Sequence, residues 1–501
     1  MVNHGVSRAC DACKKRRKKC DETRPACNRC LKSRRVCPGY KDEASLFFRH
    51  YEPSRNPLAP KPDVWSPSTD VLLEEAALGV FLDSFVVPSH DRLQSRGFLD
   101  GMQFLFVDVA PRSTLMSAAR IVVLASVANR SRRDDLLGLV QRRYGQLLGD
   151  FTKSLSLQSS NASVEQFFTA VLLGLYEIIM SNHGSPAKYL VHLQGINTML
   201  RKGINDMHRK SAIQIFLPGA PLILKNPTSC NEPGLGVFCP PLDDRQRRSL
   251  DRIIINVSPL TARTEQLLAH PRPPVEDLAQ LKQELLALED EVVYWAEDRP
   301  SSWMPKVVGH VWSDATNVGG CAYCCLGPVE KYFDYYVATA WNSWRSIHII
   351  YLDHLVHLTK ALGQEEQASL YLLRVHDLVS GIKSSIPYFL SQNLEGYLQH
   401  ANAGAAPNHS QRVVGGLLLL HPLYAVARCT AVPVSDREYL VNVLRWIGAE
   451  MGVSHATILA DYVQPSMQGP SAMQNSGVPF MDVLEGHFLI SASMMLEPTR
   501  L

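Results

Sequence analysis

The feature that most constrains this chain is a run of six cysteines near its start: Cys10, Cys13, Cys20, Cys27, Cys30 and Cys37, spaced C-x2-C-x6-C-x6-C-x2-C-x6-C. One half-unit is written twice, and it takes up half of the chain's twelve cysteines. In a long chain kept where thiols stay reduced, such density points to metal rather than to disulfides. Zinc takes four ligands in a tetrahedron, so two ions present about eight ligation positions. The six thiolates fill those positions only if two sulfurs bridge, and the shared centre then carries a charge of about −2. A unit of about 30 residues cannot bury enough apolar surface to offset its chain entropy, so its order is expected to depend on the metal. Each C-x2-C pair suits the first turn of a short helix, where free N–H groups and the positive dipole end favour thiolates. Pro25 can fix the turn that swings the second half back onto the first.

The net charge of +3 conceals an asymmetry: residues 1–41 carry +10 and the remaining chain carries −7. A compact cationic head on a mildly acidic scaffold is the layout of a polyanion binder. Every residue between Cys13 and Cys20 is basic, from Lys14, Lys15, Arg16 and Arg17 to Lys18 and Lys19. On a short helix these side chains cannot share one face, so a subset is expected to meet double-stranded DNA while the others stay solvated. Each phosphate neutralised adds roughly one unit to the salt dependence, and a residue near the helix end can reach guanine in the major groove. Arg29, Lys32, Arg34 and Arg35 extend the basic surface on the second half, as expected phosphate contacts.

These residues resemble the fungal zinc binuclear-cluster regulators of transcription, whose shared pattern is two C-x2-C-x6-C halves, basic residues between the second and third cysteines, and a proline in the connecting loop. Residues 10–37 match throughout. The resemblance implies zinc, two ions per chain, with Cys10 and Cys27 as the bridging ligands. One ion would take Cys10, Cys13, Cys20 and Cys27, and the other Cys10, Cys27, Cys30 and Cys37. It also implies that Arg17 reads a CGG-type triplet with help from main-chain carbonyls, that Lys14, Arg16 and Lys19 contact phosphate or the groove wall, and that Lys15 and Lys18 fall at variable positions. The implied function is sequence-specific regulation of RNA polymerase II genes in the nucleus, in partnership with DNA and the transcription machinery.

The rest of the chain reads as mostly α. Residues 1–8 form a disordered lead, 9–41 the DNA-binding module, 42–68 a linker rich in proline, and 69–501 a large all-helical regulatory domain. Helices are expected from Ser68-Thr69-Asp70 through Phe85, from a Ser113 cap through Asn129, and after a Ser163–Gln166 capping box. Others are expected near 187–201, 275–297, 329–360, 365–385, 411–428 and 436–451, with a long irregular excursion over 207–241. Past the module, Pro38 to Glu43 and Leu46 to Arg49 resemble one branch of the same family. Leu175-Tyr176-Glu177, Trp341-Asn342 with Arg345, Ile386-Pro387-Tyr388, Pro422-Leu423-Tyr424 and Arg445 to Gly448 follow in the order of its fungal-specific type-two helical domain. No heptad runs between 41 and 70, so a homodimer would form through the body, the alternative being action on a single triplet.

Several local features read as structural. Cys321, Cys324 and Cys325 are expected to be ordinary buried thiols, His192 and His348 core histidines, and Glu284 to Asp298 a packed amphipathic helix. Gly234-Leu235-Gly236 is too short for a nucleotide loop, and no HExxH, G-x-S-x-G or P-loop pattern occurs, so the chain is not read as an enzyme. A body that binds a ligand or catalyses a reaction, tethered to chromatin by the module, is the rival reading. Apolar runs such as Ile121 to Ala128 are too short for a bilayer. The opening residues lack the apolar core of a secretory signal, so an intracellular chain is expected.

Overall fold

The computed structural model describes residues 9–16, 18–23, 26–35, 37–38, 67–91, 94–157, 162–182, 188–202, 204–205, 250–312, 321–405, 412–467 and 490. Arg17, Pro25, the lead over 1–8, the linker over 42–66, the excursion over 207–241 and the Gly234-Leu235-Gly236 triplet lie outside them.

Two short helices, α1 (Asp11–Lys15) and α2 (Asn28–Lys32), belong to the cysteine module. The body follows as α3 (Pro67–Phe85), α4 (Met102–Asp108), α5 (Thr114–Ser131), α6 (Asp134–Leu157), β1 (Ala162–Ser163), α7 (Val164–Ile179), α8 (Tyr189–Lys202) and β2 (Ile204–Asn205). It continues as α9 (Leu250–Leu268), α10 (Val275–Glu297), β3 (Lys306–Val311), β4 (Gly327–Lys331), α11 (Tyr335–Ala361), α12 (Glu365–Leu390), α13 (Leu394–Asn402), α14 (Val413–Arg428), α15 (Val434–Glu450) and α16 (Ser454–Met467). Helices dominate, and β1 pairs in parallel with β2 while β3 pairs antiparallel with β4.

Local signals set the helix starts. Ser113 Oγ accepts from Met116 N at 3.2 Å to open α5. At α7, Ser163 Oγ accepts from Gln166 N at 3.2 Å and Gln166 Oε1 accepts from Ser163 N at 2.9 Å, a complete capping box. The helix α3 already begins at Pro67, since proline's fixed φ suits a first turn and its missing N–H would have no partner there. The helix expected over 329–360 is corrected: β4 occupies Gly327–Lys331, and α11 starts only after Asp334, whose Oδ1 accepts from Val337 N at 3.0 Å.

The long pair α11 and α12 forms the spine, turning through Gly363 at φ 72°. The nearly all-apolar α14 packs against both and against α15 and α16. Gly415 permits that packing, because a Cβ there would lie 1.9 Å from Phe389 O. On the other side α5 packs on α6 and α7, and Asn129 Nδ2 donates to Ile179 O at 2.8 Å and to Gly452 O at 3.0 Å, tying three segments together.

Three polar side chains of the family-like motifs, Trp341, Asn342 and Arg345, sit inside this core. Arg345 is buried; its Nη2 pairs with Glu330 Oε2 at 2.9 Å, and its Nη1 donates to Tyr332 Oη at 2.6 Å and to Gly381 O at 2.8 Å. Asn342 Nδ2 donates to Ser385 Oγ at 2.8 Å, and Trp341 Nε1 donates to Trp303 O at 2.7 Å. His192 and His348 are core residues, the first 3.0 Å from Tyr144 Oη and the second 2.7 Å from Glu289. The acidic stretch lies on α10, which buries Leu285, Val292 and Trp295. The expectation of ordinary thiols at Cys321 and Cys324 is corrected: a disulfide joins them, closing a turn whose Cα atoms lie 5.4 Å apart, within bonding range.

Candidate metal centre and nucleic-acid interface

The repeated half-unit produces repeated geometry. Cys10 and Cys27 are 17 residues apart, and the same offset relates α1 to α2. Both helices begin one residue after the first cysteine of their half, which places Cys13 and Cys30 inside them. Beyond each helix the chain turns back with the same bond: Lys18 N donates to Cys13 O at 3.1 Å, and Arg35 N donates to Cys30 O at 3.0 Å. After α2 the turn is a Schellman motif, with Arg34 N donating to Leu31 O at 2.9 Å and Arg34 in the left-handed region at φ 51°.

Among the described residues, no apolar core lies inside this unit. Cys10, Cys13, Cys27 and Cys30 are its buried side chains, and Ala12, Cys20 and Cys37 pack around them. The sulfurs fall into two overlapping groups, Cys10, Cys13, Cys20 and Cys27 in one and Cys10, Cys27, Cys30 and Cys37 in the other, each within 4.8 Å. The sulfurs of Cys10 and Cys27 lie 3.7 Å apart, those of Cys10 and Cys30 3.8 Å, and those of Cys13 and Cys27 3.8 Å. A tetrahedron with zinc–sulfur bonds of about 2.3 Å has edges of about 3.8 Å, so the donor set fits zinc, whereas these separations are far too long for disulfides.

Protonation agrees with that fit. Burial pushes the Cys10 and Cys13 thiols up to about 12, and Cys30 rises to about 12 through its contact with the Cys27 sulfur and through burial. The Cys10, Cys13 and Cys30 thiols must give up their protons to bind a cation, so metal loading at neutral pH releases protons.

Asp21 braces the second half, a role that the spacing alone does not reveal. Its Oδ2 accepts from Asn28 N at 3.0 Å and its Oδ1 from Arg29 N at 3.2 Å, so one carboxylate caps two of the open N–H groups of α2. Thr23 Oγ1 also donates to it at 2.5 Å, and these bonds hold the Asp21 carboxyl well below the usual carboxylate range. An aspartate directly after the third cysteine of a half-unit is the signal that could have exposed it.

The basic side chains surround the sulfur core. Lys15, Arg16, Lys18, Lys19, Arg29, Lys32, Arg34 and Arg35 are exposed, and Lys14 lies on α1. Arg29 differs from a simple phosphate contact, because its Nη1 donates to Lys19 O at 3.0 Å and ties α2 to the end of the first basic run.

A metal-fitting sulfur core inside a cationic shell defines a zinc-cluster nucleic-acid-binding module. Residues 8–45 match the Fungal Zn(2)-Cys(6) binuclear cluster domain. The chain is 30% identical over 393 residues to the transcription factor dbaG of Emericella nidulans, a span that covers 78% of this chain and 92% of that protein. The chain belongs to the fungal Zn(2)-Cys(6) family of DNA-binding transcription regulators. No solved structure matches it. Among the described residues, no helix is long and apolar enough to cross a membrane.

Proposed function

We propose that this protein is a nuclear, sequence-specific regulator of RNA polymerase II genes that reads CGG-type triplets in the major groove through residues 9–41. The observation that supports it most directly is the pair of sulfur groups sharing Cys10 and Cys27 at zinc-like separations, set between exposed basic residues. Cys10, Cys13, Cys20 and Cys27 would hold one zinc, and Cys10, Cys27, Cys30 and Cys37 a second. Zinc supplies structural cross-linking here, converting six thiols, which have no apolar core around them among the described residues, into a fixed scaffold.

The rest of the work falls to this chain's own residues. Arg17 makes the bidentate contact to guanine. Lys14, Arg16, Lys19, Lys32 and Arg34 neutralise phosphate and set the register, and Arg29 holds the two halves together while lending its charge to the same surface. Residues 69–501 act as a control domain rather than a catalyst, contacting the transcription machinery and supplying the surface for a homodimer.

A selection from random duplexes separates the assigned roles. Arg17→Ala is expected to relax discrimination at the guanine by about 1–3 kcal/mol. Lys14→Ala is expected to weaken all sequences alike and to lower the salt slope by about one. Equal, sequence-independent losses in both variants would refute the assignment of Arg17 as the base reader.

A further inference from the structure

Three cysteines meet just before β4: a bridge joins Cys321 to Cys324, and Cys325, the next residue, keeps its thiol. A bridge over so short a loop restricts the unfolded chain less than a long one does, and in a reducing compartment bridges are mostly transient and redox-sensing. The three positions differ in access. Cys321 and Cys324 are 5% and 0% exposed, whereas Cys325 is half-buried.

Cys325 opens on a pocket of about 40 Å³ that Lys383 and Ser384 of α12 and Tyr397 of α13 also line. One water needs about 10–15 Å³, so the pocket admits a molecule the size of hydrogen peroxide. The Lys383 ammonium lies against the Cys325 sulfur and also pairs with Asp436 Oδ1 at 2.7 Å; although burial works against its charge, the carboxylate and the sulfur hold it above the usual lysine range. A partly exposed sulfur beside a cation is where thiol oxidation concentrates. Cys429 makes the contrast, since burial pushes its thiol well above the usual range. The bridged turn also carries Tyr323, whose ring stacks on Tyr397 at 5.8 Å and meets Trp446 at 4.8 Å, and whose carbonyl accepts from Tyr439 Oη at 2.9 Å. The state of the bridge therefore reaches α13 and α15.

We infer that Cys321, Cys324 and Cys325 form a thiol–disulfide site oxidised by hydroperoxide, with Cys325 as the entry and the Cys321–Cys324 pair as the store of the oxidation. Starting from three thiols, the Cys325 thiolate attacks one peroxide oxygen; an S–O bond forms, the O–O bond breaks, and the departing hydroxide takes a proton to leave as water. The Cys321 thiol then attacks the Cys325 sulfenic sulfur, forming an S–S bond and expelling the hydroxyl as a second water. Attack of the Cys324 thiolate on the Cys321 sulfur yields the Cys321–Cys324 bridge and returns Cys325 as a thiol. Two thiols and one peroxide thus give one disulfide and two waters. A sensing role in the cell rests on the nuclear reading above, whereas the chemistry is read on these cysteines alone.

The test treats the full-length, zinc-loaded chain with reduced glutathione, removes it, adds stoichiometric hydrogen peroxide and alkylates the remaining thiols. The tryptic peptide of residues 307–331 contains these three cysteines and no other, and the six module cysteines lie in other peptides, so oxidative loss of zinc is read separately. Mass spectrometry is expected to find all three cysteines alkylated before peroxide and, after it, the Cys321–Cys324 bridge with Cys325 alone alkylated. Cys325→Ser is expected to slow bridge formation about tenfold or more. Lys383→Met is expected to slow it in the same direction, while Lys383→Arg keeps most of the rate. A bridge that glutathione does not open, thiols that peroxide does not join, or an unchanged rate in Cys325→Ser or Lys383→Met would overturn the proposal.

Discussion

Cys27→Ser is expected to strip both zinc ions from the module and abolish specific DNA binding, whereas Cys37→Ser is expected to leave one ion in place. Cys27 belongs to both sulfur groups and Cys37 to only one. A single structural zinc contributes on the order of 10–16 kcal/mol to the order of a small domain, and among the described residues the module has no apolar core to fall back on. Without Cys27 neither group keeps four thiolates, while without Cys37 the group of Cys10, Cys13, Cys20 and Cys27 stays complete. DNA affinity in Cys27→Ser should drop to the non-specific level, a loss of roughly a thousandfold or more. Metal content and operator binding, measured on the same preparations, check this. Equal zinc retention in the two variants would contradict the shared role of Cys27.

The second large effect is expected in the body. Arg345→Ala should destabilise it by about 3–5 kcal/mol, the cost of breaking a buried ion pair from one side. The side chains of Arg345 and Glu330 are only 7% and 13% exposed, and the guanidinium also serves Tyr332 Oη and Gly381 O. Removing it leaves the Glu330 carboxylate bonded to the Tyr332 hydroxyl but without its cation. Arg345→Met with Glu330→Gln should recover part of the loss, because no unpaired charge then stays buried. Denaturant unfolding of both variants measures this, and a loss below about 1 kcal/mol in Arg345→Ala would place the pair among inconsequential surface bridges.

How much of this is legible in the sequence follows from how local each determinant is. The sulfur groups are legible because their spacing is short and the half-unit is repeated. The starts of α5 and α7 are legible because Ser113 and the Ser163–Gln166 pair bond to N–H groups three residues away. The helix α6 is harder to read, since Gly138, Gly145 and Gly149 lower its propensity although Val140, Tyr144, Leu147 and Phe151 keep an apolar face. In α9, Pro259 interrupts the pattern in the same way. The β3 and β4 pair escapes because each strand is short and owes its existence to its partner across the stretch 312–326, which no local pattern in either strand announces. Partners such as Glu330 with Arg345, and Glu289 with His348, are tertiary facts that no spacing rule reveals. Asp21 lies between these cases, since its bonds cross to α2 although they stay inside the module.

The centre itself is tested most directly by elemental analysis of the purified, reduced, full-length protein alongside operator binding before and after chelation. The account predicts about two zinc ions per chain, with both the metal and specific binding lost together. A reduced protein that binds its operator with about one zinc or none would contradict it.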